Sequence, residues 1–127
     1  MILDNLFARH DILGAAMQAS QFRNQVISNN IANADTPGFK KSTVLFEDTL
    51  IAVADKYNKS GEWDLSKLSA RSVKLNKDFE YRLDENNVDM EVEMTGLYKN
   101  AARYDALALM LNSNTTRFNL VTAGRAS

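Results

Sequence analysis

The stretch from Ile31 to Lys40 constrains the fold of this chain more than any other part of its sequence. It reads Ile-Ala-Asn-Ala-Asp-Thr-Pro-Gly-Phe-Lys and follows a long helical pattern. Asparagine tolerates the left-handed conformation that ends helices, and a residue before proline is biased away from the helical region. Pro37 and Gly38 fit the two central positions of a type II turn. The stretch therefore predicts a helix end and a sharp turn. Residues of this kind are common at helix ends in general, so by themselves they do not indicate a function.

The residues before this turn have the spacing of a helix that packs against another helix. Steps of three and four separate the positions of one stripe, as in a coiled-coil seam. Its apolar members, several of them small, are Ile12, Ala15, Ala19, Phe22 and Val26. The stripe ends in Asn29 and Asn33. Asparagines in a seam weaken the packing of helices within one chain, but they can set the register between chains.

A second helical pattern closes the sequence. Steps of three and four connect its stripe, which includes Met94, Leu97, Ala101, Tyr104, Ala108, Leu111 and Phe118. The helix is predicted to begin in the stretch Asn87, Val88, Asp89, Met90 and Glu91, with Asn87 as its N-cap. Acidic residues in the first turns suit the positive end of the helix dipole, and Gly124 suits the helix end.

The middle of the chain predicts shorter elements. Helical spacing runs from Thr43 to Tyr57, although β-branched residues leave a strand open at its start. Gly61 lies in a polar break after this segment. Alternation of apolar and charged residues then predicts short strands, at Val73, Leu75, Phe79, Tyr81 and Leu83.

Together these patterns predict a mainly α chain with a single domain over residues 1–127. The expected parts are an N-terminal helix at 1–34, the turn motif and a variable insert at 35–85, and a C-terminal helix at 86–123. We expect the two long terminal helices to pack as an antiparallel coiled-coil-like hairpin, with a short helix and a small irregular or β insert between them. Two interpretations of these helices are open: they pack only on each other, or they also contact other subunits. Their small and polar residues favour the second interpretation.

Composition excludes several classes of function. Fifteen basic and sixteen acidic residues give a formal net charge of −1, without the basic surplus of a nucleic-acid-binding protein. The chain has no cysteine and a single histidine, His10, so thiolate and His-rich metal sites are excluded. We predict no catalytic, cofactor-binding or metal-binding residues, no small-molecule substrate and no cleavable signal peptide.

Two blocks of the sequence resemble one family. The first resembles the signature shared by bacterial flagellar rod and hook proteins, and consists of Asn29, Asn30, Ile31, Ala32, Asn33, Ala34, Asp35, Thr36, Pro37, Gly38, Phe39 and Lys40. The second, from Asn86 to Glu91 and followed by a helix with Tyr104 and Leu107, resembles the C-terminal block of the proximal rod members. The family commonly has tyrosine at the position of Phe39, so a hydroxyl is missing here.

The resemblance implies a structural subunit of the flagellar basal-body rod rather than an enzyme. Such proteins are exported by the flagellar type III apparatus without a cleaved signal. Their terminal helices assemble into the helical tube that transmits torque and encloses the export channel, in the periplasmic rod. The implied partners are copies of the same chain, other rod proteins, the adaptor protein FliE and the membrane-ring and export-gate complex.

Three alternatives remain open at this point. One is a different flagellar axial subunit, and another is a cytoplasmic coiled-coil adaptor or export chaperone. The third is a small helical-bundle enzyme with a carboxylate metal site, which the single histidine and the lack of Glu-x-x-His motifs disfavour.

Overall fold

The computed structural model describes residues 2–75 and 83–124 and consists mainly of helix. In chain order the elements are α1 (Ile2–Ala32), β1 (Ser42–Leu45), α2 (Glu47–Ser60), a 3₁₀ turn (Leu65–Lys67), β2 (Arg71–Lys74) and α3 (Met90–Ala123). The predicted architecture, two long terminal helices with a short helix and a small β element between them, is confirmed. α1 ends before the predicted boundary at residue 34, and α3 begins after the one at residue 86.

The helices α1 and α3 pack antiparallel. Near one end the ring of Phe7 meets Phe118 edge-on, with ring centroids 5.3 Å apart. Near the other end the side chain of Asn30 bonds Glu93. A Cβ atom added at Gly96 would lie 3.7 Å from Ile27 Cδ1, which is ordinary contact distance and shows how near the two helices come there.

The face of α3 that packs on α1 follows a heptad spacing and mixes polar with apolar residues. Steps of four and three connect its buried and half-buried positions, which are Glu93, Leu97, Asn100, Tyr104, Leu107, Leu111, Asn114 and Phe118. Every second one of these positions lies on the same line along the helix. Three residues of this polar line, Glu93, Asn100 and Asn114, are both polar and buried. The helix pair is therefore held by a partly polar seam.

A small polar residue of α1, Ser20, faces this polar line and is buried. Ser20 Oγ donates to Asn100 Oδ1 over 3.0 Å, and Asn100 Nδ2 donates to the carbonyl of Ser20 over 2.8 Å. Leaving a buried polar group without a partner costs about 1–3 kcal/mol, so this pair favours one register of the two helices.

The insert consists of the two strands and α2. β1 and β2 form an antiparallel pair with Ser42 opposite Lys74, and β1 packs against α1. The helix predicted between Thr43 and Tyr57 is α2, and the strand left open at its start is β1. Gly61 ends α2 in the left-handed conformation, with φ of 72°, and its N–H donates to the carbonyl of Tyr57 over 2.7 Å.

The N-cap of α3 lies within the predicted stretch, but its assignment to Asn87 is wrong. The N-cap is Asp89, and its carboxylate accepts from the backbone N–H groups of Glu91 and Val92 at 3.0 and 3.2 Å. An N-cap side chain reaches the N–H groups two and three residues further on. Because α3 begins at Met90, Asn87 lies too early for that role.

The predicted strands are found in part. Val73 lies in β2, whereas Leu83 lies in an exposed turn. The reason for the turn is local, since Glu85 has a φ of 61° and the carbonyl of Asp84 is bonded by the Gly38 N–H rather than by a strand. The predicted strand positions Phe79 and Tyr81 lie outside the described residues.

Candidate assembly site

Asn86 holds the end of α1 in place. Its Nδ2 donates to the backbone carbonyls of Asn33, Ala34 and Thr36 at 2.9, 3.0 and 2.8 Å. These carbonyls belong to the turn that directly follows α1, and this side chain gives them a donor from the segment before α3. An amide has two N–H groups, so three carbonyls share them. Asn86 is 0% exposed, so water does not compete for these bonds.

The turn after α1 is closed by its own backbone and by the segment before α3. The Phe39 N–H donates to the carbonyl of Thr36 over 3.2 Å, and Gly38 has a φ of 72°. A positive φ at the third residue is what the predicted type II turn requires. The Gly38 N–H donates to the carbonyl of Asp84 over 2.7 Å, which ties the turn to the chain entering α3.

Asn87 joins the two strands at the end of their pairing. The Lys41 N–H donates to Asn87 Oδ1 over 2.7 Å, and Asn87 Nδ2 donates to the carbonyl of Leu75 over 2.8 Å. The amide thus stands between two backbone groups that face each other across the strand pair. It continues the hydrogen-bond ladder beyond β1 and fixes the strand pair to the start of α3.

Asn30 connects α1 to both β1 and α3. It accepts from the Ser42 N–H at 3.0 Å and donates to the Ser42 carbonyl at 2.8 Å and to Glu93 Oε2 at 3.0 Å. Glu93 also pairs with Lys41 Nζ at 3.3 Å. A buried carboxylate needs such partners, because burying an unpaired charge is costly. We call Asn30, Asn86, Asn87, Lys41 and Glu93 the asparagine clamp.

The clamp leaves part of the predicted assembly motif on the surface. Its inward residues, Asn30 and Ala34, are buried, and Asp35–Gly38 are exposed. The other members are half-buried at Ile31, Asn33 and Phe39 and exposed at Asn29 and Ala32. The motif therefore anchors the end of α1 with one side and presents a shaped turn with the other.

The predicted seam residues are divided between the helix contact and the surface. Ala19 is buried and Ala101 is exposed. The half-buried members are Ile12, Ala15, Phe22, Val26, Met94, Leu97, Tyr104, Ala108, Leu111 and Phe118. Of the predicted cap stretch, Val88 is buried with Asn87, Asp89 is half-buried, and Met90 and Glu91 are exposed.

Sequence reasoning missed the polar residues that hold this site together. Asn86 was part of the second matched block but had no role assigned, and Glu93 and Asn100 were not placed in the seam. The signal that could have found them is their spacing, because Glu93, Asn100 and Asn114 are separated by multiples of seven.

A second apolar stripe lies on the outside of α3. Tyr98, Leu109 and Leu120 are 69%, 72% and 68% exposed, and eleven residues, close to three helical turns, separate each from the next. We call these three residues the outer stripe. Leu107 follows Tyr98 by two and a half turns, so the outer stripe lies on the opposite side of α3 from the seam.

One ion-pair cluster joins all three helices. Glu47, in the first turn of α2, accepts two 2.7 Å bonds from Arg23 of α1 and lies 3.7 Å from Arg103 of α3. Burial raises the pKa of Glu47, but its own backbone N–H, the Arg23 guanidinium and the backbone at Phe46 together lower that pKa below the ordinary value. The carboxylate is thus stabilised in its charged form.

Within residues 2–75 and 83–124, the buried asparagines and Glu93 make the hydrogen bonds described above. No three His, Asp or Glu side chains there are grouped as a metal site. No helix in those ranges has the length and apolar character needed to cross a bilayer.

Comparison with known proteins gives the family. Residues 11–40 match the model of the flagella basal body rod protein family. The chain is 32% identical over 116 residues to the flagellar basal body rod protein FlgB of Bacillus subtilis (strain 168), covering 86% of this chain and 88% of that protein. FlgB of Borrelia hermsii is 34% identical, over 74% of this chain and 80% of its own length. FlgB of Aquifex aeolicus (strain VF5) is 30% identical, over 82% and 84%. The chain therefore belongs to the FlgB family of flagellar basal body rod proteins.

Proposed function

We propose that this chain, a structural component of the flagellar basal-body rod, assembles through the outer stripe of α3 and the exposed turn Asp35–Gly38. The contacts are made between terminal helices of neighbouring subunits. Those subunits, copies of this chain and other rod proteins, form the helical tube that transmits torque and encloses the export channel.

The observation that carries this proposal is the outer stripe. A helix that packs on one partner has one apolar face, whereas α3 has its seam on one side and three large exposed side chains on the other. Each such side chain gains roughly 1.5–3 kcal/mol when it is fully buried. Association with another subunit would recover that free energy.

The asparagine clamp supports a mechanical role. Its hydrogen bonds connect α1, β1 and the start of α3, so the turn and both helix ends move as one unit. A subunit that transmits torque needs such connections between the surfaces that touch its neighbours. Family membership favours this role over that of a cytoplasmic adaptor or export chaperone.

Location and partners follow from the same proposal. The chain is exported without a cleaved signal peptide and lies in the periplasmic part of the rod, at its proximal end. There it adjoins the adaptor protein FliE and the membrane-ring and export-gate complex.

Two substitutions with a matched control test the outer stripe. Tyr98→Asp and Leu120→Asp are each introduced into a strain that lacks the wild-type chain. Asn119→Asp, which adds the same charge one residue away and off the stripe, is the control. We expect both stripe variants to melt within a few degrees of wild type, because their side chains are already exposed, yet to be lost from the rod.

Mass spectrometry of purified hook–basal bodies and swimming in soft agar give the readout. The stripe variants should lower the amount of chain per basal body at least tenfold and abolish swimming, and Asn119→Asp should do neither. Normal rods from both stripe variants would refute the assembly surface. Absence of the wild-type chain from basal bodies that contain other axial proteins would refute the rod assignment itself.

A further inference from the structure

A groove opens between the start of α1 and the end of α3, at the far end of the helix pair from the asparagine clamp. Its volume is about 520 Å³. The residues that define this groove, called the open groove below, are Arg9, Ile12, Leu13, Leu109, Met110 and Arg117. Leu109 and Met110 are 72% and 57% exposed, so the groove is an apolar surface open to solvent.

The charge in the open groove has one sign. Its lining contains two guanidinium groups, Arg9 and Arg117, and no carboxylate. Among the described residues, neither guanidinium takes part in an ion pair. An apolar floor beside two unpaired arginines fits an occupant that carries apolar side chains next to carboxylates.

The chain carries a surface of that kind at its other end. The acidic tip, defined as Leu83, Glu85, Met90, Glu91 and Val92, lies where the chain enters α3. Its apolar members are 109%, 44% and 55% exposed in that order, and both glutamates are exposed. Among the described residues, neither glutamate forms an ion pair.

One molecule cannot bring these two surfaces together. Glu91 and Arg117 lie near opposite ends of α3, a helix of 34 residues and therefore about 50 Å long. Two different, complementary surfaces on one molecule make a head-to-tail contact, and such a contact repeats from copy to copy unless the rotation between copies closes a ring.

We propose that the acidic tip of one copy of this chain docks in the open groove of the next, with Glu91 and Glu85 facing Arg9 and Arg117. Met90 and Val92 then cover Leu109 and Met110. The inference rests on the proposed function, because it names the partner surface used when copies of the chain assemble. The contact shares Leu109 with the outer stripe and is distinct from the contact made by Tyr98 and Leu120.

Reciprocal charge reversal tests this contact. The groove variant carries Arg9→Glu and Arg117→Glu, and the tip variant carries Glu85→Lys and Glu91→Lys. Each variant alone opposes like charges at every junction between copies. When the two are co-expressed, each groove meets a tip of opposite charge, so junctions between unlike copies are restored.

In a strain lacking the wild-type chain, either variant alone should lower the chain's amount per basal body at least tenfold and stop swimming. Co-expression should restore both to within twofold of wild type. Arg71→Glu, a reversal at an exposed residue of β2, is the control and should behave as wild type. Thermal melting followed by circular dichroism checks folding, and if a double variant is unstable, Arg117→Glu and Glu91→Lys replace the doubles in the same design.

Two outcomes overturn the inference. One is normal rods from either variant alone, and the other is no rescue on co-expression of two folded variants. Either would leave the rod assignment standing as long as the wild-type chain is found in basal bodies. Absence of the wild-type chain would instead remove the proposed function on which the inference rests.

Discussion

The two ends of the helix pair differ in what holds them together. At the clamp end, buried amides of Asn30 and Asn86 bond backbone groups of three segments, and Glu93 is enclosed by its partners. At the open end, Phe7 and Phe118 meet edge-on beside a groove, and the hydrogen bonds that Asn5 accepts from the insert there are exposed and 3.4 Å long. Hydrogen bonds demand a particular geometry, whereas apolar contacts tolerate several. The clamp end is therefore built to keep one shape, and the open end is where we propose that a partner docks.

The same difference appears within the polar line of α3. Asn100, in the middle, exchanges bonds with Ser20, while Asn114, toward the open end, borders the groove. Local opening of a structure requires least free energy where few buried bonds must break. Fraying should thus begin at the open end and stop at Asn100.

The largest expected effect comes from breaking the clamp. Asn86→Ala removes the donor shared by the carbonyls of the turn and the acceptor of the buried Val88 N–H, and we expect a loss of about 3 kcal/mol in the free energy of unfolding. Urea denaturation measures it. Asn58→Ala, at an exposed position of α2, is the control and should change stability by less than about 0.5 kcal/mol. A loss below about 1 kcal/mol for Asn86→Ala would mean that the clamp is not the stable end.

Two leucine substitutions sharpen the comparison along α3. Asn100→Leu removes the partner of the buried Ser20 and should lower the free energy of unfolding by about 2 kcal/mol. Asn114→Leu adds apolar surface beside a groove, in a place where the described residues give its amide no side-chain hydrogen bond, and should raise stability by about 0.5–1 kcal/mol. Equal effects of the two substitutions would contradict the difference between the ends.

Two glycines extend the test to the backbone. Gly38→Ala forces a residue with a Cβ to a φ of 72° in the clamped turn and should cost about 1 kcal/mol. Gly14→Ala in α1, where a Cβ would meet nothing within 4 Å, should stabilise by about 0.5–1 kcal/mol. Thermal melting of both variants gives the signs, and a stabilising Gly38→Ala would show that the turn is not held in this conformation.

The smallest effect concerns Glu47, between the two ends. Its pKa is lowered in the folded chain, so its contribution to stability is complete above the ordinary value of 4.5 and is lost as the pH falls through the lower, folded value. The side chain is 55% exposed, so that contribution is below about 1 kcal/mol. Wild type should exceed Glu47→Gln in stability at pH 7, and the difference should vanish in acid. A difference that grows as the pH falls would contradict the ion-pair assignment.

The helical spacing predicted the fold well because α1 and α3 are long and their patterns repeat many times. The turn at Pro37-Gly38 was also predictable, since its chemistry is local. The clamp was not, because Asn86 bonds carbonyls about fifty positions earlier in the chain, and no local pattern reveals such a pairing. For the same reason Asn87 was assigned to the helix start rather than to the strands.

The sequence predicts only part of the seam of α3, for a different reason. Following apolar residues selects Leu97, Tyr104 and Leu111, which do face α1, but also Ala101, which is exposed. Two buried positions on the same face, before and after Leu97, are occupied by Glu93 and Asn100, which an apolar criterion rejects. Where a chain buries polar groups, hydrophobic periodicity identifies the helix but not the whole of its contact face.

The bond pair between Asn30 and Ser42 has a consequence for how copies of this chain avoid the wrong association. Lys41 points its carbonyl at β2, so the backbone groups of the next residue, Ser42, point away from it. An unpaired strand edge of this kind recruits other strands and leads toward fibrous aggregates. The Asn30 amide occupies the edge at Ser42 as a neighbouring strand would. The Asn30 side chain thereby keeps the short sheet from growing, which leaves association to the surfaces proposed above.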